Sequence, residues 1–383
     1  MKAGRYYGPG DIRVENIPEP VLTSDQVKVK IAWYILTVCG SDLHAYLTES
    51  PGYGSVEPHP ITQETFPVTL GHEFSGTIVE TGPGVDTTKW ATGTNVIIEP
   101  ILSCRKGSCD TCSQGYRNLC PHIGFIGIAG WGGGLSEYIA VNVRYLHALP
   151  QGISLEIGAC VEPLAVAYHA VKRSGFTEDK TALVVGAGPI GLFVVKVLRS
   201  LYPTSIILVS EPATIRREFA LKHGATQVFD PTKIIIPEAI RSIVAPGIDV
   251  AFDAAGIQAS MDASLFSLRA RGTYVNLAIW EKTATLNVNL ILVREINFTG
   301  IVGYDRVHEE VLSLIASGKI KGLDELITKR ISLDDVVEEG FKKLLSEKDK
   351  HGQYNYMFFD DLSLSAGLTV KILVHPGSRS ANL

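Results

Sequence analysis

Four cysteines fall within seventeen residues, as Cys104-x4-Cys109-x2-Cys112-x7-Cys120. Four thiols this close match a closed tetrahedral zinc site, which takes four soft donors and leaves no position open. A pair of disulfides is the alternative. Only Cys39 and Cys160 lie outside the run, and nothing else in the chain has the character of a small secreted scaffold, so the metal reading is preferred. A closed site of this kind steadies a loop and does no chemistry of its own.

A chain of 383 residues has room for roughly two domains. With 45% hydrophobic and 20% charged residues it can bury a sizeable core. The formal net charge is −5 with no basic block, which argues against a nucleic-acid partner. The first nine residues lack the apolar stretch of a signal peptide. The longest uncharged apolar stretch, 181–195, is fifteen residues with three glycines and a proline, too short to span a membrane comfortably. A cytoplasmic, reducing location is expected, where thiols favour metal.

The first 160 residues read as short β-like runs (27–31, 77–81, 95–99, 138–141) broken by Gly and Pro, an irregular β-rich domain. Residues 161–174 can form a helix. From 181 strands and helices alternate: strand 181–185, helix 190–201, strand 205–209, helix 213–223, then strands at 228–229, 250–253 and 272–276. This alternation implies βαβ units and a doubly wound parallel sheet, an α/β fold. Beyond about residue 302 come helices at 307–317 and 333–347 and a strand at 370–374. The expected division is 1–160, 161–304 and a C-terminal segment, 305–383, that returns to the first domain.

Gly186-Ala187-Gly188-Pro189-Ile190-Gly191 follows one of those strands and opens a helix. In that context G-x-G-x-x-G is a strong dinucleotide fingerprint. Gly186 permits the tight turn, Gly188 lets a pyrophosphate approach the backbone, and Gly191 lets the helix pack on the strand. Pro189 and Ile190 open the helix whose free N–H groups face the phosphates. Glu211, twenty residues past Gly191, ends the next strand. An acid there can accept hydrogen bonds from the adenosine ribose and repels a 2′-phosphate, so NAD is expected over NADP. Arg216, with Arg217, lies one turn further and weakens that preference. A plain βα turn and a solvated acid are the bland alternatives.

Three separated residues are candidate ligands of a second, catalytic zinc: Cys39, His72 and Glu162. Such a site wants about three protein ligands and one open position. A metal there lowers the pKa of an alcohol hydroxyl, which eases hydride release to a nicotinamide. Ser41 can take the proton and His44 can pass it to solvent. Asp42 can orient the His72 imidazole. Taken singly, a buried Cys is more often a small hydrophobe, and His72 and Glu162 are more often structural. Cys160 reads as core, although it neighbours Glu162.

Together these residues resemble the zinc-dependent medium-chain alcohol and polyol dehydrogenases. Cys-Gly-Ser-Asp-Leu-His at 39–44, Gly-His-Glu at 71–73, the four-cysteine lobe, Val-Glu-Pro-Leu at 161–164 and the Gly-rich loop occur in that family's order. The resemblance implies a GroES-like catalytic domain, closed by the C-terminal segment, and a Rossmann domain. It implies that Cys39, His72 and Glu162 hold catalytic zinc, with Glu73 as an alternative ligand. It also implies structural zinc on Cys104, Cys109, Cys112 and Cys120, and a proton relay through Ser41 and His44. Within the family the chain resembles the 2,3-butanediol dehydrogenases, through 57–60 leading to 70–73, 124–134 and 276–280.

Three stretches depart from the family pattern. The first structural-zinc spacing is x4 rather than x2. Residues 34–38 read as a bulky, irregular lead into Cys39. Residues 352–369 read as an insertion before the closing strand. The expected activity is hydride transfer between NAD and a secondary alcohol or vicinal diol, with 2,3-butanediol and acetoin preferred. Sorbitol, xylitol and L-threonine are alternative substrates, and a non-catalytic NAD-binding protein is an alternative of another class. A homo-oligomer, dimer or tetramer, is expected from the apolar run 296–302 near a sheet edge.

Overall fold

A computed structural model describes residues 1–37, 46–47, 56–280, 282–345 and 371–377. Cys39, Ser41, Asp42 and His44 lie outside these residues, as does the expected insertion at 352–369.

The N-terminal part is built on a seven-stranded sheet. Its order runs Leu146–Ala148, Asn95–Ile98, Phe74–Thr81, Gln26–Thr37, Lys371–His375, Ile327–Ser332, and Tyr138–Asn142 pairs with the first half of Gln26–Thr37. The expected irregularity at 34–38 is corrected over 34–37. Strand Gln26–Thr37 runs on because Lys371–His375 zips against it antiparallel, Tyr34 opposite Val374 and Leu36 opposite Ile372. Tyr34, Ile35 and Leu36 are all fully buried. A strand covered on both faces loses the two-residue alternation by which strands are recognised.

Residues between 182 and 300 form a six-stranded parallel sheet: Gln227–Phe229, Ile207–Ser210, Ala182–Val185, Ile248–Asp253, Leu268–Asn276, Asn297–Gly300. In chain order this is 3-2-1-4-5-6, the doubly wound dinucleotide-binding order, with its crevice beside the first strand. Ala182–Val185 and Ile207–Ser210 are buried throughout, as interior parallel strands must be. Helix Val161–Arg173 joins the two parts. Its Leu164, Ala165 and Val171 share one apolar cluster with Leu192 and Phe193 of helix Pro189–Leu201 and Leu373 of the returning strand.

Helices Ile236–Ile243, Gln258–Ser267 and Val288–Arg294 were not legible in the sequence. Gln258–Ser267 buries Ser260, Ser264 and Ser267 where an apolar stripe would normally mark the face. The described part of the helix expected over 333–347 is a 3-10 turn, Leu333–Asp335, then π-helical Val336–Lys342, then α-helical 343–345. Wide i→i+5 winding brings Val336 and Phe341, five residues apart and both fully buried, onto one face.

Candidate functional site

His72 follows strand Val68–Thr69 and precedes Phe74–Thr81, on a turn held very close to a neighbouring loop. A Cβ on Gly127 would meet the Gly71 carbonyl oxygen at 1.8 Å, so glycine at 127 is what lets the two backbones touch beside His72. Glu162 comes from the first turn of helix Val161–Arg173, where Pro163 costs no helical hydrogen bond. Ninety residues apart in the chain, His72 and Glu162 meet together with Glu73. One ligand atom from each lies within 4.8 Å of the others, and all three residues are buried.

Burial pushes the Glu162 carboxyl up to about 7; the neighbouring His72 opposes that rise and Glu73 adds to it. A buried carboxyl of this kind accepts a cation readily, because the cation replaces the water it has lost. Glu73 is engaged elsewhere. Its Oε2 accepts from the fully buried Lys371 Nζ at 3.0 Å, and its Oε1 lies 4.0 Å from His72 Nε2. Sequence reasoning missed Lys371, since its partner lies 298 residues away. An imidazole and a carboxylate with a second carboxylate in reserve suit a zinc site with an open position.

The four lobe cysteines also converge. Their sulfurs lie within 4.8 Å of one another, and Cys104 Sγ and Cys112 Sγ are 3.7 Å apart. Tetrahedral zinc with Zn–S bonds of ~2.3 Å separates its sulfurs by roughly 3.8 Å, whereas a disulfide needs ~2.05 Å. All four cysteines are free thiols, and the x4 spacing does not keep Cys104 out of the cluster. The Cys104 and His122 backbone N–H groups both donate to Cys120 Sγ at 3.4 Å. The Thr111 hydroxyl, then the Cys112 backbone N–H, bring the Cys109 thiol down to about 6, while burial pushes Cys112 up to about 12. Asn118 fastens the lobe by donating to the Val302 carbonyl at 2.9 Å.

Cys160 is core. It is fully buried, its thiol faces the Glu156 carbonyl at 3.6 Å, and burial pushes it up to about 12.

In the parallel sheet, Gly186 follows strand Ala182–Val185 with φ +87°, a left-handed conformation. A Cβ on Gly191 would meet the Gly186 carbonyl oxygen at 1.9 Å. The loop can therefore close only if 191 is glycine. Gly188 caps helix Pro189–Leu201, with Pro189 at its first position and Ile190 next. Glu211 is buried at the end of strand Ile207–Ser210. Its carboxylate accepts from the Ala187 N–H at 2.7 Å and the Ala213 N–H at 2.9 Å. It thus stands over the glycine loop from the neighbouring strand. Arg217 donates to the Glu211 carbonyl at 2.7 Å and pairs with Asp230 at 3.3 Å, while Arg216 is half-buried.

Residues 23–151 match the family described as alcohol dehydrogenase GroES-like domain, and residues 189–317 the family described as zinc-binding dehydrogenase. The chain belongs to the zinc-binding alcohol dehydrogenases, a GroES-like domain followed by a Rossmann domain, and is an oxidoreductase. It is 41% identical to (R,R)-butanediol dehydrogenase of Bacillus subtilis (strain 168), over 91% of this chain and 98% of that protein. It is 36% identical to the (R,R)-butanediol dehydrogenase of Saccharomyces cerevisiae, over 92% of this chain and 96% of that one. The crystal structure of 2R,3R-butanediol dehydrogenase from Bacillus subtilis superposes with a TM-score of 0.86 and 39% identity, covering 98% and 99% of the two chains.

Proposed function

We propose that this chain is a zinc-dependent, NAD(H)-linked dehydrogenase that interconverts 2,3-butanediol and acetoin. One observation carries the reading: His72 and Glu162 bring ligand atoms within 4.8 Å in a buried cluster that can hold a cation. When bound, zinc supplies Lewis-acid polarisation of the substrate hydroxyl and NAD supplies the hydride acceptor.

The chain's own residues do the rest. His72 and Glu162 hold the metal, with Cys39 as third ligand from its sequence motif. Lys371 keeps the Glu73 carboxylate turned aside until the ligand set changes. Ser41 Oγ accepts the hydroxyl proton and the His44 ring carries it to solvent; both also enter from the motif. Gly186, Gly188, Pro189, Ile190 and Gly191 cradle the pyrophosphate at the helix start. Glu211 binds the adenosine ribose and disfavours a 2′-phosphate, with Arg216 at the rim. Cys104, Cys109, Cys112 and Cys120 hold the structural zinc.

The domain borders proposed are 160/161 and 304/305. They are supported by the parallel sheet, whose strands all lie between 182 and 300, and by strands Ile327–Ser332 and Lys371–His375, which belong to the first sheet. A homo-oligomer through the edge of the parallel sheet is supported by edge strand Asn297–Gly300 with its exposed Phe298, and by exposed Leu292 and Val293 on the adjacent helix. No helix of the described residues is long and apolar enough to cross a membrane. Free lobe thiols agree with a reducing, cytosolic setting.

A panel of 2,3-butanediol, sorbitol, xylitol and threonine with NAD and with NADP, run before and after chelation, tests the reading. Turnover should be fastest on 2,3-butanediol with NAD and vanish with the metal. His72→Ala should abolish turnover while NADH still binds. Activity surviving in metal-free protein, or faster use of sorbitol or threonine, overturns it.

A further inference from the structure

A second buried set of metal-type donors lies apart from both clusters above. Glu99 directly follows strand Asn95–Ile98, His147 sits on the paired strand Leu146–Ala148, and His308 opens helix His308–Ala316. His147 Nε2 lies 3.0 Å from Glu99 Oε2, and His308 Nδ1 lies 3.8 Å from the same oxygen. The two imidazoles stack with centroids 4.9 Å apart and planes 10° from parallel. One donor atom from each residue falls within 4.8 Å of the other two.

His308 makes this more than an ion pair. Its side chain is completely buried, yet neither ring nitrogen has a hydrogen-bonding partner among the described residues. Leaving such groups bare in the interior is unfavourable. Glu99 Oε2 is the one oxygen that both histidines face. Arg117 Nη2 approaches the other oxygen, Oε1, at 3.6 Å, which leaves Oε2 to the two histidines.

We propose that Glu99, His147 and His308 bind a third divalent cation, zinc, through one carboxylate oxygen and one nitrogen of each imidazole. Zn–N and Zn–O bonds of ~2.0–2.2 Å separate tetrahedral donors by roughly 3.3–3.5 Å. The two measured separations, 3.0 and 3.8 Å, lie either side of that range. Water completes the shell. The ion joins the catalytic-domain sheet to the helix that follows the parallel sheet, and through Arg117 to the four-cysteine lobe. It is a fastener rather than a reaction centre.

The test is zinc counting on the full chain, saturated with zinc chloride and dialysed, for wild type, His147→Gln and Glu99→Gln. Each variant should lose one equivalent of zinc relative to wild type. An anomalous difference map recorded at the zinc edge on wild-type crystals should show a peak between Glu99 Oε2 and the two rings. Counting by difference keeps this result separate from the occupancy of the other two sites. Equal zinc in all three proteins, or a map with only water-strength density at the cluster, overturns the proposal. If the variants do not fold, the wild-type map decides alone.

Discussion

At Lys371 an ammonium is completely buried and held by the Glu73 carboxylate at 3.0 Å. Removing one member of such a pair strands the other charge in a low-dielectric interior. Lys371→Met should therefore cost about 3–5 kcal/mol in denaturant unfolding, and Lys371→Met with Glu73→Gln should recover part of it. A loss no larger than that of an exposed lysine would refute the coupling. His223 supplies a pH response. It caps helix Thr214–Lys222, and burial, then Lys196 and Lys222, bring its pKa down to about 4 despite the opposing charge of Glu325. The unfolded chain, with a histidine pKa of about 6.5, binds a proton that the folded protein refuses. The contribution is therefore complete above pH ~6.5 and is lost as pH falls toward ~4. Urea midpoints at pH 7 and pH 4.5 should fall further in wild type than in His223→Asn; parallel falls would reject this source.

Among elements, the βα turn at 186–191 has the least room for change. Gly191→Ala would drive a methyl into the Gly186 carbonyl, for which 1.9 Å is available. Overpacking of this kind costs about 1–3 kcal/mol, so NADH affinity should fall roughly tenfold, read by fluorescence titration, with zinc content unchanged. Unaltered affinity would mean that the loop opens without cost. This turn was legible in the sequence because its chemistry is local: strand, glycines and helix start are contiguous. The four-cysteine lobe was legible for the same reason. The extension of the strand through Tyr34, Ile35 and Leu36 was not, because its partner is Lys371–His375, far along the chain. The Glu73–Lys371 pair and the Glu99–His147–His308 cluster were hidden likewise. Neither has a spacing that a sequence pattern can carry, and only the closed sheet brings the residues together.

For the whole molecule, the proposed assembly rests on the edge of the parallel sheet. Among the described residues strand Asn297–Gly300 has a neighbour on one side only, and helix Val288–Arg294 exposes Leu292 at 73% and Val293 at 75%. An apolar patch beside a free strand edge is a surface that a second copy can cover. Leu292→Glu with Val293→Glu should convert the oligomer to monomer in sedimentation, and a monomeric wild type would remove the proposal. The returning strand Lys371–His375 has a further effect, on the order in which the protein can form. It lies inside the first sheet, between strands that begin at residues 26 and 327. On the ribosome, the parallel-sheet domain has all its strands once residue 300 is clear, whereas the sheet begun first stays unfinished until residue 375 has emerged. The part of the protein made earliest is thus the last to be completed, its strand Gln26–Thr37 waiting for a partner that leaves the ribosome more than three hundred residues later.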